Sequence, residues 1–359
     1  MSWLVFRDAP RAAAVACVAA AACGGTDPAP IETSGSSGGS SSSGTDESAT
    51  GIDASTGGDG SSSGVDSTGN APEESFDCAT ITDDSPPTTV LQGPQAGRGI
   101  TFDEFGHCIG VVEPHLVRAG YGEPVQPFVP GLGDELDQID ILPGGDFVVA
   151  RFDTGTIVRV TPEGVTSDLA TDVFAYGVRT GPDGLVYTAN SQVVHRIDPE
   201  RGGKIEFLAA PGVSPRVVDF SPDSSRMYIG TAETGGQVWV AQLDDALEVV
   251  GEPTLFYDGL GDWHDGIGVD VCGYVYVSDF ETLSLYRIAP DGSAMVTLLE
   301  ANGTGTGDPF GHGLRWGSGI DGWRHDAFYM PLPLRDDAVG EVAIGVPYRD
   351  WPGTVLNRP

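Results

Sequence analysis

The sequence has little positive charge. It contains 18 lysine and arginine residues against 52 aspartate and glutamate residues, which gives a formal net charge of −34. Lys204 is its only lysine, and no lysine or arginine occurs between residues 12 and 97. Nucleic acids and anionic membranes bind proteins through clustered basic residues. The charge therefore argues against a nucleic-acid partner, and against membrane binding other than through an N-terminal lipid.

Long apolar segments are also missing. The apolar run at residues 12–22, preceded by Arg7 and Arg11, is too short to span a bilayer and ends in small residues. The sequence AAAC at residues 20–23 resembles a bacterial lipoprotein cleavage box, in which Cys23 becomes the lipidated N-terminus. We predict that residues 1–23 form an export signal of the lipoprotein type, which places the protein at the cell envelope. Ordinary cleavage after Ala22, which would release a periplasmic or extracellular protein, and an uncleaved anchor are the alternatives.

Cysteine is scarce. Cys17 and Cys23 belong to the predicted signal, which leaves Cys78, Cys108 and Cys272. Two of these three could form a disulfide in an exported protein, and all three pairings stay open. No C-x-x-C spacing occurs, so the thiols do not predict a zinc site.

Residues 24–77 are rich in glycine, serine and aspartate and have almost no apolar side chains. Such a segment cannot offset its conformational entropy by burying apolar surface, and we predict a disordered linker. From residue 78 the composition changes to short β-branched and aromatic runs separated by glycine and proline turns. The predicted folded domain covers residues 78–350, and residues 351–359 are expected to form a tail.

A repeated unit organises this domain. Its clearest copy is residues 263–279, WHDGIGVDVCGYVYVSD, where two alternating strands flank a glycine turn and two further strands follow. Equivalent turn residues, spaced by 39, 39, 41, 48 and 49 positions, are Gly106, Gly145, Gly184, Ser225, Gly273 and Gly322. A period of roughly 40 to 50 residues is typical of four-stranded propeller blades. The sequence therefore predicts an all-β, six-bladed β-propeller.

In a propeller, the residues just before each innermost strand surround the central channel. The repeat places six residue pairs there: Arg98-Gly99, Asp137-Gln138, Tyr176-Gly177, Pro215-Arg216, His264-Asp265 and Gly311-His312. The candidate ligand-binding residues are Asp137, Gln138, Tyr176, Arg216 and His312, together with the neighbouring Trp263. His264 and His312 are each a candidate general base, and together with Asp265 they could hold a transition metal.

The segments SPRVVDFSPDSSRMYIG and HDGIGVDVCGYVYVSD, together with the PDG turns at 182–184 and 290–292, resemble the gluconolactonase, regucalcin and luciferin-regenerating-enzyme family. The resemblance covers roughly residues 98–347 and implies a six-bladed propeller. Active members hold a divalent cation, often calcium, through Glu, Asn and Asp side chains, and the ion polarises a lactone carbonyl and activates water. The Asp of the family's D-G-apolar element corresponds to Asp265, a candidate metal ligand and catalytic residue.

At the other positions where the family has metal ligands, this sequence has different residue types. The Asn expected after Ser-Pro corresponds to Arg216, and the Asn or Asp of the preceding blade corresponds to Tyr176. The early Glu has no match in a region that offers Gln95 and Arg98. Calcium needs six to eight oxygen ligands, and a guanidinium repels it. We therefore expect Arg216 to take the place of the metal and to pair with Asp265.

Three functions remain open at this stage. The protein could be an exported binding module that takes a small anionic or sugar-like ligand in the channel. It could be a divergent metal-dependent lactone or ester hydrolase with Asp265 as metal ligand or base. It could also meet a protein partner at the channel mouth.

Overall fold

A computed structural model describes residues 76–209, 212–232, 235–300 and 312–349. The predicted export signal with Cys23, all but two residues of the predicted linker, and the predicted tail lie outside these residues. In the described part of the chain, no helix is long or apolar enough to cross a membrane. The one helical element there is a 3₁₀ turn at Cys78–Thr80.

The described residues form six sheets of four antiparallel strands each. The first strand of the described residues, β1 (Thr88–Gln95), belongs to the sheet of the last blade. Blade 1 contains β2 (Ile100–Phe102), β3 (Cys108–Val112), β4 (His115–Ala119) and β5 (Gln126–Val129). Blade 2 contains β6 (Leu136–Ile141), β7 (Phe147–Arg151), β8 (Thr156–Val160) and β9 (Thr166–Ala170). Blade 3 contains β10 (Gly177–Thr180), β11 (Val186–Ala189), β12 (Val193–Ile197) and β13 (Lys204–Ala209).

Blade 4 contains β14 (Pro215–Phe220), β15 (Arg226–Thr231), β16 (Val238–Leu243) and β17 (Val249–Tyr257). Blade 5 contains β18 (His264–Val269), β19 (Val275–Asp279), β20 (Ser284–Ile288) and β21 (Met295–Leu299). Blade 6 contains β22 (Arg315–Trp316), β23 (Phe328–Leu332) and β24 (Ala338–Val342), and β1 completes it by pairing with β24. The predicted six-bladed β-propeller of four-stranded blades is confirmed.

Strand order explains burial. The second strand of blade 2, β7, is buried along nearly its whole length because neighbouring blades pack on both of its faces. The outermost strand of the same blade, β9, is mostly exposed. Side chains of the innermost strands instead point toward the central channel or into blade contacts, and β6 is buried at all six positions.

Glycines let the innermost strands approach one another around the channel. A Cβ atom on Gly177 would lie 2.5 Å from the backbone oxygen of Arg216, and one on Gly99 would lie 2.7 Å from that of Asp137. A side chain at either position would force neighbouring blades apart, so glycine is required where the channel is narrow.

A disulfide joins Cys78 to Cys272, and Cys108 is a buried free thiol. The bond ties the segment before β1 to the first turn of blade 5. Arg287 in β20 holds the same segment by donating to the Thr82 carbonyl oxygen at 2.7 Å. The segment from Cys78 to Thr82 is therefore fixed to blade 5, and the chain then enters blade 6 at β1.

Candidate functional site

An arginine–aspartate pair occupies the upper part of the channel, at the end where the innermost strands begin. Arg216 Nε donates to Asp265 Oδ1 at 2.5 Å, and both side chains are almost completely buried. Arg216 follows the first residue of β14, and Asp265 is the second residue of β18 in the next blade. The ion pair expected between these residues forms.

Two aromatic rings hold the Arg216 guanidinium. Its central carbon lies 4.1 Å from the centre of the Tyr176 ring and 4.7 Å from that of Trp263. Each ring presents its π-electrons to the cation, a contact that strengthens when water is excluded. Tyr176 is itself stacked on Phe152, with ring centres 4.3 Å apart. The guanidinium is therefore held by aromatic contacts as well as by Asp265.

The Nη side of Arg216 is less fully satisfied. Nη2 lies 3.9 Å from Asp137 Oδ2, which is too long for a hydrogen bond. Neither Nη group makes a hydrogen bond to a residue that the structure describes. The guanidinium therefore retains donor capacity toward the channel, although Arg216 is only 3% exposed.

His312 lies on the other side of Asp265. Its Nδ1 is 2.8 Å from Asp265 Oδ2, and its ring contacts Phe280. Burial alone would raise the pKa of the Asp265 carboxyl, but Arg216 and His312 together hold that pKa below its usual value. A carboxylate stabilised in this way is a weak proton acceptor, which does not favour Asp265 as a general base.

His264 is near these groups in sequence but does not face the same partners. Its Nδ1 accepts a hydrogen bond from the Thr231 backbone N–H at 3.2 Å, and the residue has no exposed surface. Burial lowers the pKa of His264 to about 4, so the ring is neutral at pH 7. This contact gives His264 a structural role between blades 4 and 5.

Asp137 and Gln138 complete the upper channel. The Gln138 amide donates to the backbone oxygen of Asp265 at 2.8 Å and so links blade 2 to blade 5 across the channel. Burial raises the pKa of Asp137 to about 6, and Arg216 opposes part of this rise. All six named ligand-binding candidates thus contribute to one region or contact it directly, whereas the catalytic candidate His264 is engaged elsewhere.

The lower channel holds a second charged cluster, which sequence reasoning missed. It consists of three arginines and two aspartates, all buried: Arg179, Arg315, Arg349, Asp140 and Asp219. Arg179 Nε lies 2.9 Å from Asp219 Oδ1, Arg315 Nη2 lies 3.2 Å from Asp140 Oδ2, and Arg349 Nη1 lies 3.0 Å from Asp219 Oδ2.

Arg349 reaches this cluster from the segment that follows β24. That segment is fixed by the Val346 carbonyl oxygen, which accepts from Trp316 Nε1 at 2.9 Å, and by a backbone bridge between Tyr348 and Asp270. Burial raises the pKa of Tyr348 to about 12, so this phenol is neutral beneath the arginines. The C-terminal segment therefore closes the lower end of the channel.

Between the two charged layers lies a cavity of about 10 Å³, room for about one water molecule. Gln138 and Arg315 line it together with backbone of the innermost strands. This cavity is therefore too small for a ligand larger than water.

The residues present do not fit a calcium ion. Among the described residues, no group of three or more His, Cys, Asp and Glu side chains is arranged to hold a metal. Asp265 lies at the candidate ligand position, but the Arg216 guanidinium is bonded to it directly. The charge that a divalent cation would supply in this channel is supplied by arginine.

The fold and the channel define a six-bladed β-propeller with an arginine–carboxylate centre. Within it, residues 177–301 match the family described as SMP-30/gluconolactonase/LRE-like region. These residues include blades 3, 4 and 5, and hence Arg216 and Asp265. No curated protein sequence matches the chain.

Solved structures show the same fold at low sequence identity. Regucalcin from Agrobacterium tumefaciens is 16% identical, with a TM-score of 0.58 over 74% of this chain and 97% of that chain. A gluconolactonase from Xanthomonas campestris is 12% identical, with a TM-score of 0.55 over 72% and 89%. An auxiliary nutrient binding protein from Bacteroides thetaiotaomicron is 14% identical, with a TM-score of 0.57 over 73% and 76%.

Proposed function

We propose that this protein is an exported, lipid-anchored binding module that takes a hydroxyl-rich, sugar-like small molecule at the channel mouth without a metal ion. One observation carries the proposal. The buried Arg216 guanidinium is held by Asp265, Tyr176 and Trp263, yet neither of its Nη groups makes a hydrogen bond to a described residue. These Nη donors can bond to a ligand oxygen at the channel mouth, and a hydrogen bond from a charged donor is stronger than one between neutral groups.

The neighbouring charges favour a neutral ligand over an anionic one. Arg216 and Arg98 both act on Asp137, and Arg216 is bonded to Asp265, so two arginines already balance the two aspartates and a ligand carboxylate would leave a net negative charge. A hydroxyl group both donates and accepts, so it can accept from Arg216 Nη2 and donate to Asp137 Oδ2, which are 3.9 Å apart. The half-buried Trp263 offers the sugar an apolar ring beside these polar groups.

The hydrolase alternative is less well supported. It requires a cation at the place where Arg216 meets Asp265, or a basic Asp265, and the pKa of Asp265 is held low. Nutrient binding is a documented use of this fold in the Bacteroides neighbour, so a binding role needs no new architecture. The similarity to gluconolactonases makes lactone hydrolysis the natural control assay.

Export has independent chemical support. Disulfides such as Cys78–Cys272 form in oxidising compartments and are rare in the cytosol. The AAAC sequence ending at Cys23 and the following glycine- and serine-rich segment suit a lipid-anchored domain on a long tether. A Cys23→Ser variant should lose incorporation of radiolabelled palmitate and leave the membrane fraction. Unchanged labelling or fractionation would contradict the lipid anchor at this residue.

Ligand binding is tested by calorimetry on the full chain carrying Cys23→Ser. Glucose, xylose and mannose are the neutral probes, and gluconate is the carboxylate probe. At least one neutral sugar should bind in the presence of a chelator, and Arg216→Lys should weaken it about tenfold because a lysine ammonium lacks the planar fork.

Three results would overturn the proposal. The first is tighter binding of gluconate than of any neutral sugar, which would mean an anion site. The second is no binding of any probe. The third is calcium-dependent hydrolysis of gluconolactone that is lost in an Asp265→Asn variant, which would mean a metal-dependent hydrolase.

A further inference from the structure

A row of aromatic side chains runs outward from the channel mouth. Trp263 and Tyr176 contact Arg216, Tyr176 stacks on Phe152 at 4.3 Å, and Phe152 meets Phe174 with ring centres 6.2 Å apart. Phe152 follows β7, and Phe174 lies in the loop between β9 and β10. Both loops are on the face where the innermost strands begin, so the row is continuous with the channel mouth.

Phe174, at the outer end of the row, is both exposed and held in a strained backbone conformation. Its side chain and backbone are 47% exposed, which is high for a phenylalanine. Its φ angle is +48°, in the left-handed region that bulky residues rarely adopt, and its ring rests against Gly155, whose φ is +65°. A bulky residue held in this region carries a backbone cost, and such residues are often found at ligand sites.

The surroundings of Phe174 are polar. The neighbours of Phe174 and Phe152 in the sequence include four exposed polar residues, which are Thr171, Asp172, Asp153 and Thr154. A stable protein interface normally needs a broad apolar patch, whereas one aromatic row among hydroxyl and carboxylate groups offers ring surface and hydrogen-bond acceptors along a line. This combination suits a neutral, elongated molecule whose hydroxyl groups alternate with apolar ring faces.

We infer that the outer aromatic row formed by Phe152 and Phe174 is a second subsite for an extended glycan, and that the ligand is a neutral oligosaccharide rather than a monosaccharide. The inference rests on the proposed function, because the row extends the same mouth. One sugar unit lies above Arg216, and the following units pass over the row toward Phe174.

The test compares chain lengths on the full chain carrying Cys23→Ser. Maltohexaose, cellohexaose, xylohexaose and mannohexaose are titrated by calorimetry beside glucose, xylose and mannose. One hexasaccharide should bind at least about tenfold more tightly than its own monosaccharide, because additional units contact the row. This comparison needs no variant and does not depend on how well a variant folds.

Variants then locate the gain. Phe174→Asn removes the ring but keeps a residue type that tolerates the left-handed region. It should abolish the gain with chain length and leave monosaccharide binding unchanged. The matched control is Phe105→Ala, since Phe105 is 60% exposed in the turn between β2 and β3 at the opposite ends of the strands. It should change neither affinity.

The outcomes separate this inference from the proposed function. Monosaccharide binding without any gain from a hexasaccharide overturns the second subsite and leaves the mouth site standing. A gain that survives in Phe174→Asn overturns the assignment to this row. Absence of binding by every saccharide overturns both. A concentration-dependent dimer that is lost in Phe174→Asn would show that the row is covered by a second copy of the chain, which also overturns the glycan subsite.

Discussion

Replacing Arg216 with asparagine removes the guanidinium that faces both Asp265 and Asp137 in the upper channel. Two unit charges about 4 Å apart interact by about 4 kcal/mol at an effective dielectric constant of 20. Loss of one partner from a buried ion pair costs about 3–5 kcal/mol. At about 2–4 °C per kcal/mol for a large domain, the metal-free variant should melt about 6–20 °C below the wild type.

Calcium should recover part of that loss. Arg216→Asn leaves two buried carboxylates and adds an amide oxygen, which together suit a weak oxygen-ligand site with a Kd of about 10⁻⁴–10⁻³ M. At about 10 mM calcium, binding to the folded state alone adds about 1–3 kcal/mol of stability. The expected rise in Tm is about 3–10 °C, measured by differential scanning calorimetry with and without a chelator at about pH 8.

Two controls make this result specific. Arg216→Lys keeps a cation in the channel and should show no calcium-dependent rise. Adding Asp265→Asn to Arg216→Asn should abolish the rise, because it removes the carboxylate that the guanidinium had neutralised. If Arg216→Asn ignores calcium, or if Arg216→Lys responds equally, then arginine does not stand where a metal would bind, and the reasoning about this channel is wrong.

Three further changes test the remaining charged and covalent contacts. Reduction of Cys78–Cys272 should lower the free energy of unfolding by about 2–5 kcal/mol, because the bond closes a loop of 194 residues. Chemical denaturation with and without reductant measures this change, and an unchanged denaturation midpoint would contradict it. Burial raises the folded-state pKa of Asp137 to about 6, so its stabilising protonation is complete below about pH 4 and lost as pH rises through about 6. Asp137→Asn should therefore flatten the stability profile between these values, and an unchanged slope would refute the assignment. Arg349→Ala should destabilise the domain by about 3–5 kcal/mol. The control Arg201→Ala should have little effect, because the Arg201 side chain is 88% exposed. Equal melting temperatures for the two variants would show that the lower cluster is not structurally important.

The blade count and the upper channel could be predicted because each blade repeats the same turn and strand pattern. The glycine or serine of that turn recurs in every blade, and the residues at the start of each innermost strand then lie around the channel. In blades 2, 4 and 5 the predicted pairs are inside that strand rather than just before it. This places Arg216 and Asp265 in neighbouring blades at the same depth, where opposite charges attract. Their contact at 2.5 Å was therefore predictable, and the same repeat placed His312 at the channel, where its Nδ1 lies 2.8 Å from Asp265 Oδ2.

The two ends of the domain escaped prediction because neither belongs to a complete repeat. Strand β1 completes blade 6 by pairing Thr88 with Val342, and no local pattern links segments so far apart in sequence. The choice of Cys78 and Cys272 depends on the path of the segment before β1. Arg349 follows the last strand, where the sequence predicts only the approach to a tail. The sequence feature that could have pointed to Arg349 is the scarcity of basic residues, because an arginine beside Tyr348 is notable in a chain with only 18 of them.

Arginine at position 216 changes what the channel can do, not merely what it binds. A divalent ion brings open coordination positions and can polarise a carbonyl or lower the pKa of water. A guanidinium brings directional donors and a fixed charge, but no coordination site and, with its high pKa, no proton to give. Its partner Asp265 is a weak base as long as the pair is intact. The upper channel therefore keeps the means to recognise and orient an oxygen-rich ligand, and Asp265 is poorly suited to activate water against it. For this reason arginine at position 216 favours the proposed binding role over the metal-dependent hydrolase.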